Sequence, residues 1–432
     1  MLRSSLLRSL VWGVLLAAAV DAGTALAADK SAPPTKPAAD NWPEFRGPRG
    51  DGSSTATDLP VTWSETENVK WKTPVHGKGW SSPVIWGDQI WLTTATPDGK
   101  ELSAVCLNRE TGKVLYDLLP FKIASPAPLS NSMNSYASPT PAIEAGRVYV
   151  HWGSAGTACL DTKTGKTLWA RQDLPCNHWR GPGSSVILVG KLLVLTFDGY
   201  DQQYLAALDK ETGDTVWRTD RNIDYGSDDG DGKKGYSTPI VIDVAGQAQL
   251  VSPSAGATIA YRPDTGKEIW RVRSGGMNAA GRPLFGNGLV YCTTAAGGWQ
   301  LFAVNPDGQG DIGNRNVAWK SGKSVPTRSS QILIDDLLFM VNDTGVLSCF
   351  DAKTGDVVWQ KRTEGAFSAS PIYADGRIYF CGEEGEMPVI EPARELKLLA
   401  TNKLESGFMA SPAAVGKALY FRTRTHMYRV EK

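Results

Sequence analysis

The sequence predicts an all-β chain, an eight-bladed β-propeller, on three observations. One eleven-residue motif recurs along the chain, a short hairpin pattern precedes its copies, and the strand count closes a ring only if the first strand joins the last blade.

The motif is plainest in "CLDTKTGKTLW" (159–169), "ALDKETGDTVW" (207–217), "AYRPDTGKEIW" (260–270) and "CFDAKTGDVVW" (349–359). "CLNRETGKVLY" (106–116) ends in Tyr116, and "AVNPDGQGDIGNRNVAW" (303–319) carries an insertion before Trp319. "VIEPARELKLL" (389–399) has lost both the Gly and the Trp. An apolar strand ends at Asp or Asn, whose side chain accepts from nearby backbone N–H groups. Gly takes the left-handed conformation that ends a tight loop. The return strand alternates, so its Trp faces one side, where a flat ring can wedge between neighbouring sheets. The aspartates of this motif (Asp161, Asp209, Asp351) are therefore turn residues and not acid–base catalysts.

A Ser/Thr-Pro-like strand start and a hairpin precede the copies, as in "SPVIWGDQIWL" (82–92), "TPAIEAGRVYV" (140–150), "SVILVGKLLVL" (185–195), "SPIYADGRIYF" (370–380) and "SPAAVGKALYF" (411–421). Looser versions begin at Thr238, Arg282 and Ser330. Each repeat is thus four short strands, a propeller blade rather than a solenoid turn. The eight strand starts are followed by only seven fourth strands, because the chain stops at "HMYRVEK". "NVKWKTPV" (68–75) is an outer strand with no blade before it, so pairing it with residues 411–432 closes the ring and protects the sheet edges.

The ends and the composition set the setting. Arg3 and Arg8, the apolar run "LVWGVLLAAAV" and the small residues "ALA" (25–27) read as a signal peptide over 1–27, followed by a Pro/Ala-rich linker over 28–40. No cysteine lies near the cut after Ala27, so the expected product is periplasmic or secreted and not a lipoprotein. Forty-five basic and 45 acidic residues give no polyanion-binding field, and no further apolar run reaches transmembrane length, so neither nucleic acid nor a membrane span is expected. Cys106, Cys159 and Cys349 alternate with Ala207, Ala260 and Ala303 at one motif position, which reads as buried free thiols rather than a disulfide framework. Residues 41–67, opening with "NWPEFRGPRGDG", read as a clasp in which Trp42 and Phe45 pin the incoming chain to the outside of the propeller over 68–432.

The A-x-D-x-x-T-G-x-x-x-W copies resemble the tryptophan-docking motif of the PQQ-like (quinoprotein alcohol dehydrogenase-like) eight-bladed β-propellers, from Asn68 to Lys432. "WPEFRGPRGDG" with "NVKWKTPVHGKGWSSPV" looks like an exported subgroup of PQQ-like repeat proteins that carries no assigned reaction, with a more distant similarity to BamB-type propellers. The resemblance implies either of two functions. One is a binding or scaffold module, non-catalytic and monomeric, for a protein, peptide or glycan partner. The other is a periplasmic dehydrogenase that oxidises an alcohol or sugar with PQQ and Ca²⁺ near the ring axis and an Asp as base. The vicinal Cys-Cys of alcohol-oxidising members has no counterpart here, nor does the lipid-bearing Cys of BamB-type proteins. The scaffold reading is preferred, with no cofactor or metal assigned and PQQ with Ca²⁺ as the alternative.

A functional face is expected on the loops that lead into the innermost strands. Trp80, His178, Arg180, Tyr236, Arg282 and Arg328 are the channel-mouth candidates for ligand or cofactor binding. Trp80 and Tyr236 both stand two residues before a strand start, and Arg282 and Arg328 lie at or near one, where guanidinium forks could meet carboxylates. "DYGSDDGDGKK" (224–234) fails as a calcium loop, since Ser227 and Thr238 stand at its first and twelfth positions. The four histidines form no spaced metal cluster, and no catalytic signature appears.

Overall fold

The repeated motif folds as its spacing requires. Asp161 Oδ1 accepts from the N–H of Lys163 (2.9 Å) and Thr164 (2.7 Å), and Asn108, Asp209 and Asp351 make the same pair of bonds in their own turns. The strand that returns from each turn carries the aromatic ring toward the following sheet. Trp169 Nε1 donates to the Lys210 carbonyl at 3.0 Å, Trp217 to Pro263 at 3.0 Å and Trp319 to Ala352 at 2.9 Å. Gly213 has φ +80°, and a Cβ there would meet the Trp169 ring at 2.8 Å, so the motif glycine serves both the turn and the ring packed on it.

The computed structural model describes residues 41–130, 132–298 and 300–432, which form one compact unit. The expected signal peptide and linker (1–27 and 28–40) lie outside the described residues. Eight sheets, each with four antiparallel strands, form eight blades, which bears out the expected propeller. Blade 1 runs over 84–122, blade 2 over 142–171, blade 3 over 187–220 and blade 4 over 240–273. Blades 5, 6 and 7 span 284–321, 332–362 and 372–403. Blade 8 takes three strands from 413–430 and its outer strand from Val69–Pro74, which pairs antiparallel with His426–Val430. The inferred closure is the one observed.

The insertion before Trp319 also has a use. Gly310–Asp311 pairs in parallel with Trp270 and Arg271 and lengthens the sheet of blade 4 to five strands, covering its edge. Apolar side chains fill the spaces between blades, as where Trp91, Cys106 and Leu102 of blade 1 meet Val148 and Leu160 of blade 2. All six cysteines are buried and unpaired. Among the described residues no helix is long and apolar enough to cross a membrane.

Candidate functional site

The first strand of each blade faces the central channel, and its starting residue sits at one mouth. There the repeated Ser/Thr has a structural task. The Ser82 N–H donates to the Thr140 hydroxyl, Thr140 to Ser185 and Ser185 to Thr238, each at 2.9–3.0 Å. On the other side Arg282 donates to Ser330, Ser330 to Ser370, Ser370 to Ser411 and Ser411 to Ser82, again at 2.9–3.0 Å. This circle of buried hydrogen bonds joins neighbouring blades, and it is interrupted where Arg282 replaces the Ser/Thr of blade 5 and brings no hydroxyl.

The segment 41–59 occupies the channel. This corrects the expectation that Trp42 and Phe45 lie on the propeller's outside. The Trp42 backbone exchanges two 2.8 Å bonds with Ile85 of blade 1, and the Pro43 carbonyl accepts from Ile143 of blade 2. On the return, Gly52 and Ser54 bond to Tyr373 of blade 7, and Thr57 to Gly416 of blade 8. Asn41 and Leu59 meet the hairpin turns at Gly87 and Asp375, so the segment is a loop inserted from the turn end with its tip at the hydroxyl circle. Trp63 then lies on Phe421 (5.5 Å, stacked) and Tyr379 as the chain passes out between blades 7 and 8. Long-range apolar contact of this kind needs no local periodicity, so the sequence carried no sign of it.

Two arginines pin the loop. Arg282 is 3% exposed, pairs with Glu44 at 2.8 Å, and donates to the carbonyls of Phe45 and Pro239. Burial holds the Glu44 carboxyl above its usual range although Arg282 opposes that shift. Arg46 is 1% exposed and donates to the carbonyls of Asp51, Gln331 and Pro371. It has no ion pair among the described residues, and desolvation pulls its pKa down to about 9. At Gly52, where φ is +85°, a Cβ would stand 2.5 Å from the Arg46 guanidinium, so the loop closes over the arginine only because that side chain is absent.

The loop makes the channel blind. Above its tip lies a cavity of about 430 Å³ with Phe45 as floor, the hydroxyl circle as wall and Trp80, Met133, Tyr236 and Met409 among its apolar lining. Four of the six candidates line it: Trp80, Arg180, Tyr236 and Arg328. Trp80 Nε1 donates to the Met133 carbonyl at 2.8 Å, with Lys78 over the ring at 5.3 Å. Arg180 pairs with Asp231 at 2.5 Å. Tyr236 accepts from Lys234, a lysine with no exposed surface whose pKa is lowered to about 8 by desolvation. Arg328 bonds Ser368 (2.7 Å) and Glu383 (2.8 Å) and lies 3.6 Å from Asp343.

Arg282 and His178 stand elsewhere. Arg282 holds the loop beneath the cavity floor. His178 Nε2 accepts from the Ser154 N–H at 3.1 Å, and its ring packs on Phe197, so it is a neutral loop anchor whose pKa desolvation lowers to about 4. Sequence reasoning missed Glu44, Arg46 and Arg422, the last 3% exposed and bonded through Nη1 to the Ser81 carbonyl. The one available signal was Arg282 itself, the odd residue in a run of hydroxyls.

The lining does not supply a calcium site of the kind a calcium-bound quinone needs. Ca²⁺ takes roughly six to eight oxygen ligands. The lining supplies one carboxylate, Asp343, and it is held by the Thr327 hydroxyl and Arg328. Among the described residues no group of three or more His, Cys, Asp or Glu could hold a metal.

The blades also decide the family, because the profile described as "Outer membrane protein assembly factor BamB" matches residues 61–200 and 201–432. The chain belongs to this PQQ-like, BamB-type family. Within it, BamB of Shewanella oneidensis is 23% identical over 298 residues, covering 64% of this chain and 69% of that protein. The quinohemoprotein alcohol dehydrogenase ADH-IIG of Pseudomonas putida is 24% identical over 254 residues, 52% of this chain, and the matched part spans only 32% of the dehydrogenase. BamB from Moraxella catarrhalis superposes with a TM-score of 0.57 at 12% identity, over 84% of this chain and 99% of that one, which is a likeness of fold. BamB-type propellers thus share their architecture with dehydrogenases, and the site alone can separate the two.

Proposed function

We propose that the protein is an exported, non-catalytic binding propeller that presents its blind channel mouth to a partner. The observation that carries this reading is the loop 41–59 in the channel, which turns the axial space into a walled cavity of a size suited to a side chain or a short peptide segment. Charged groups at the cavity are engaged with one another, as in Arg180–Asp231 and Arg328–Glu383, which supports a shaped binding surface over an acid–base site. The BamB-type family and the signal-peptide-like N-terminus support a place in the periplasm or outside the cell.

The alternative, a PQQ-dependent dehydrogenase, is favoured by Arg180 and Arg328 at the cavity and opposed by the donor set there. Affinity capture from an envelope extract of the source organism separates the readings. A co-purifying protein retained by the wild type and lost from Trp80→Ala/Arg180→Ala is expected; identical recovery with both proteins would contradict the proposal.

A further inference from the structure

The hydroxyl circle has donors left over. The hydroxyls of Ser82, Thr140, Ser185, Thr238 and Ser411 each accept a backbone N–H, line the cavity, and donate to no group among the described residues. A guest that enters therefore meets O–H donors on several sides and is best matched by acceptor oxygens.

The lining itself carries Arg180, Arg328 and Asp343, and further buried positive charge lies behind it. Arg46, next to the floor residue Phe45, and Arg422, behind the turn that carries Trp80 and Ser82, are buried guanidiniums without a carboxylate partner among the described residues. Both have their pKa drawn down to about 9 by desolvation, which is the mark of a cation short of counter-charge. Lys234 and Arg180 share the single carboxylate of Asp231. An anion in the cavity would relieve this surplus.

The channel already shows what kind of molecule fits it. Its other half holds a peptide loop, the chain's own residues 42–57, whose two arms make backbone bonds to the first strands of blades 1, 2 and 7 and to the hairpin turn of blade 8. The mouth half, lined largely by residues that precede those strands and by the loops between blades, offers the acceptor-seeking hydroxyls and an apolar lining that includes Trp80, Met133 and Met409, side chains suited to varied peptide residues.

From these features we infer that the channel mouth is a receptor for the C-terminal carboxylate of an extended peptide belonging to a partner protein. This rests on the binding-propeller reading. The carboxylate enters first and accepts from the hydroxyl circle, while the penultimate side chains lie against Trp80, Tyr236 and the methionines.

The test uses acetyl-capped pentapeptides randomised in their last three positions, as free acids and as C-terminal amides, applied to the immobilised protein. Free acids with apolar residues should be retained about tenfold or more over amides, the equivalent of one charge-assisted hydrogen bond. Ala280→Phe, which fills the cavity from its wall, should abolish retention with the unfolding midpoint unchanged, and Met409→Trp serves as a second filling variant if the first fails to fold. Equal retention of acids and amides, or retention of neither, overturns the inference and leaves the scaffold reading standing. Displacement by N-acetylphenylalanine as effective as by the pentapeptides overturns the peptide assignment in favour of a small carboxylate. Saturable binding of PQQ with Ca²⁺ in the same cavity would instead overturn the underlying reading.

Discussion

Replacing Arg282 by Gln should remove the counter-charge of a carboxylate partly buried in the channel. Glu44 pairs with Arg282 at 2.8 Å, with side-chain exposures of 18% and 3%. Breaking such a pair by deleting one partner costs about 3–5 kcal/mol, because the remaining charge stays buried. The carbonyls of Phe45 and Pro239 also lose their donor, adding about 1 kcal/mol each. Glu44→Gln/Arg282→Gln should recover the charge part and retain only the carbonyl part. The pH dependence has a definite sign. The folded Glu44 carboxyl already titrates above 4.5, and loss of Arg282, which lowers it, raises it further. Folded Glu44 then binds a proton where the unfolded chain has released it, so the variant gains stability as pH falls from neutrality toward 4.5. Urea unfolding followed by tryptophan fluorescence, at neutral and mildly acidic pH, measures each quantity. A double variant no more stable than the single one, or a single-variant loss that ignores pH, would refute this reasoning.

Three further outcomes are expected. Thr140→Val removes the acceptor of the buried Ser82 N–H and should cost about 1–3 kcal/mol in urea unfolding, whereas Thr140→Ser should leave the midpoint in place; equal losses would discount the hydroxyl circle. The native protein should not react with Ellman's reagent, since burial raises the thiols (Cys159, Cys292 and Cys349 to about 12), and all six should react in denaturant; fast native labelling would contradict their burial. His151 and His178 are held neutral in the fold, with pKa values lowered from 6.5 to about 3 and about 4, so the stability they confer is present above 6.5 and lost as pH falls toward those values. The melting temperature should decline over that interval, less steeply in His178→Gln, and a flat profile would count against buried neutral imidazoles.

The propeller was legible because its determinants are local. An Asx turn, a glycine and a returning aromatic fall within eleven residues, and the spare outer strand at Val69–Pro74 announced its pairing with the end of the chain. The repeated Ser/Thr at strand starts was visible as a pattern, but its hydrogen bonds run between residues 40 or more positions apart, so its role became readable only in the folded ring. The loop in the channel lay beyond sequence reasoning for the same cause. Arg46 reaches Pro371 across 325 residues, and Arg282 reaches Glu44 across 238. Trp80, Arg180, Tyr236 and Arg328 converge on the cavity because loops leading to first strands surround the axis in any propeller, a geometric argument that needed no knowledge of individual contacts.

The central claim, a binding channel rather than a quinone site, is met most directly by calorimetric titration of the purified protein with PQQ in the presence of Ca²⁺. The donor set around Asp343 predicts no saturable heat. Stoichiometric binding that Arg328→Ala abolishes would contradict the account and restore the dehydrogenase.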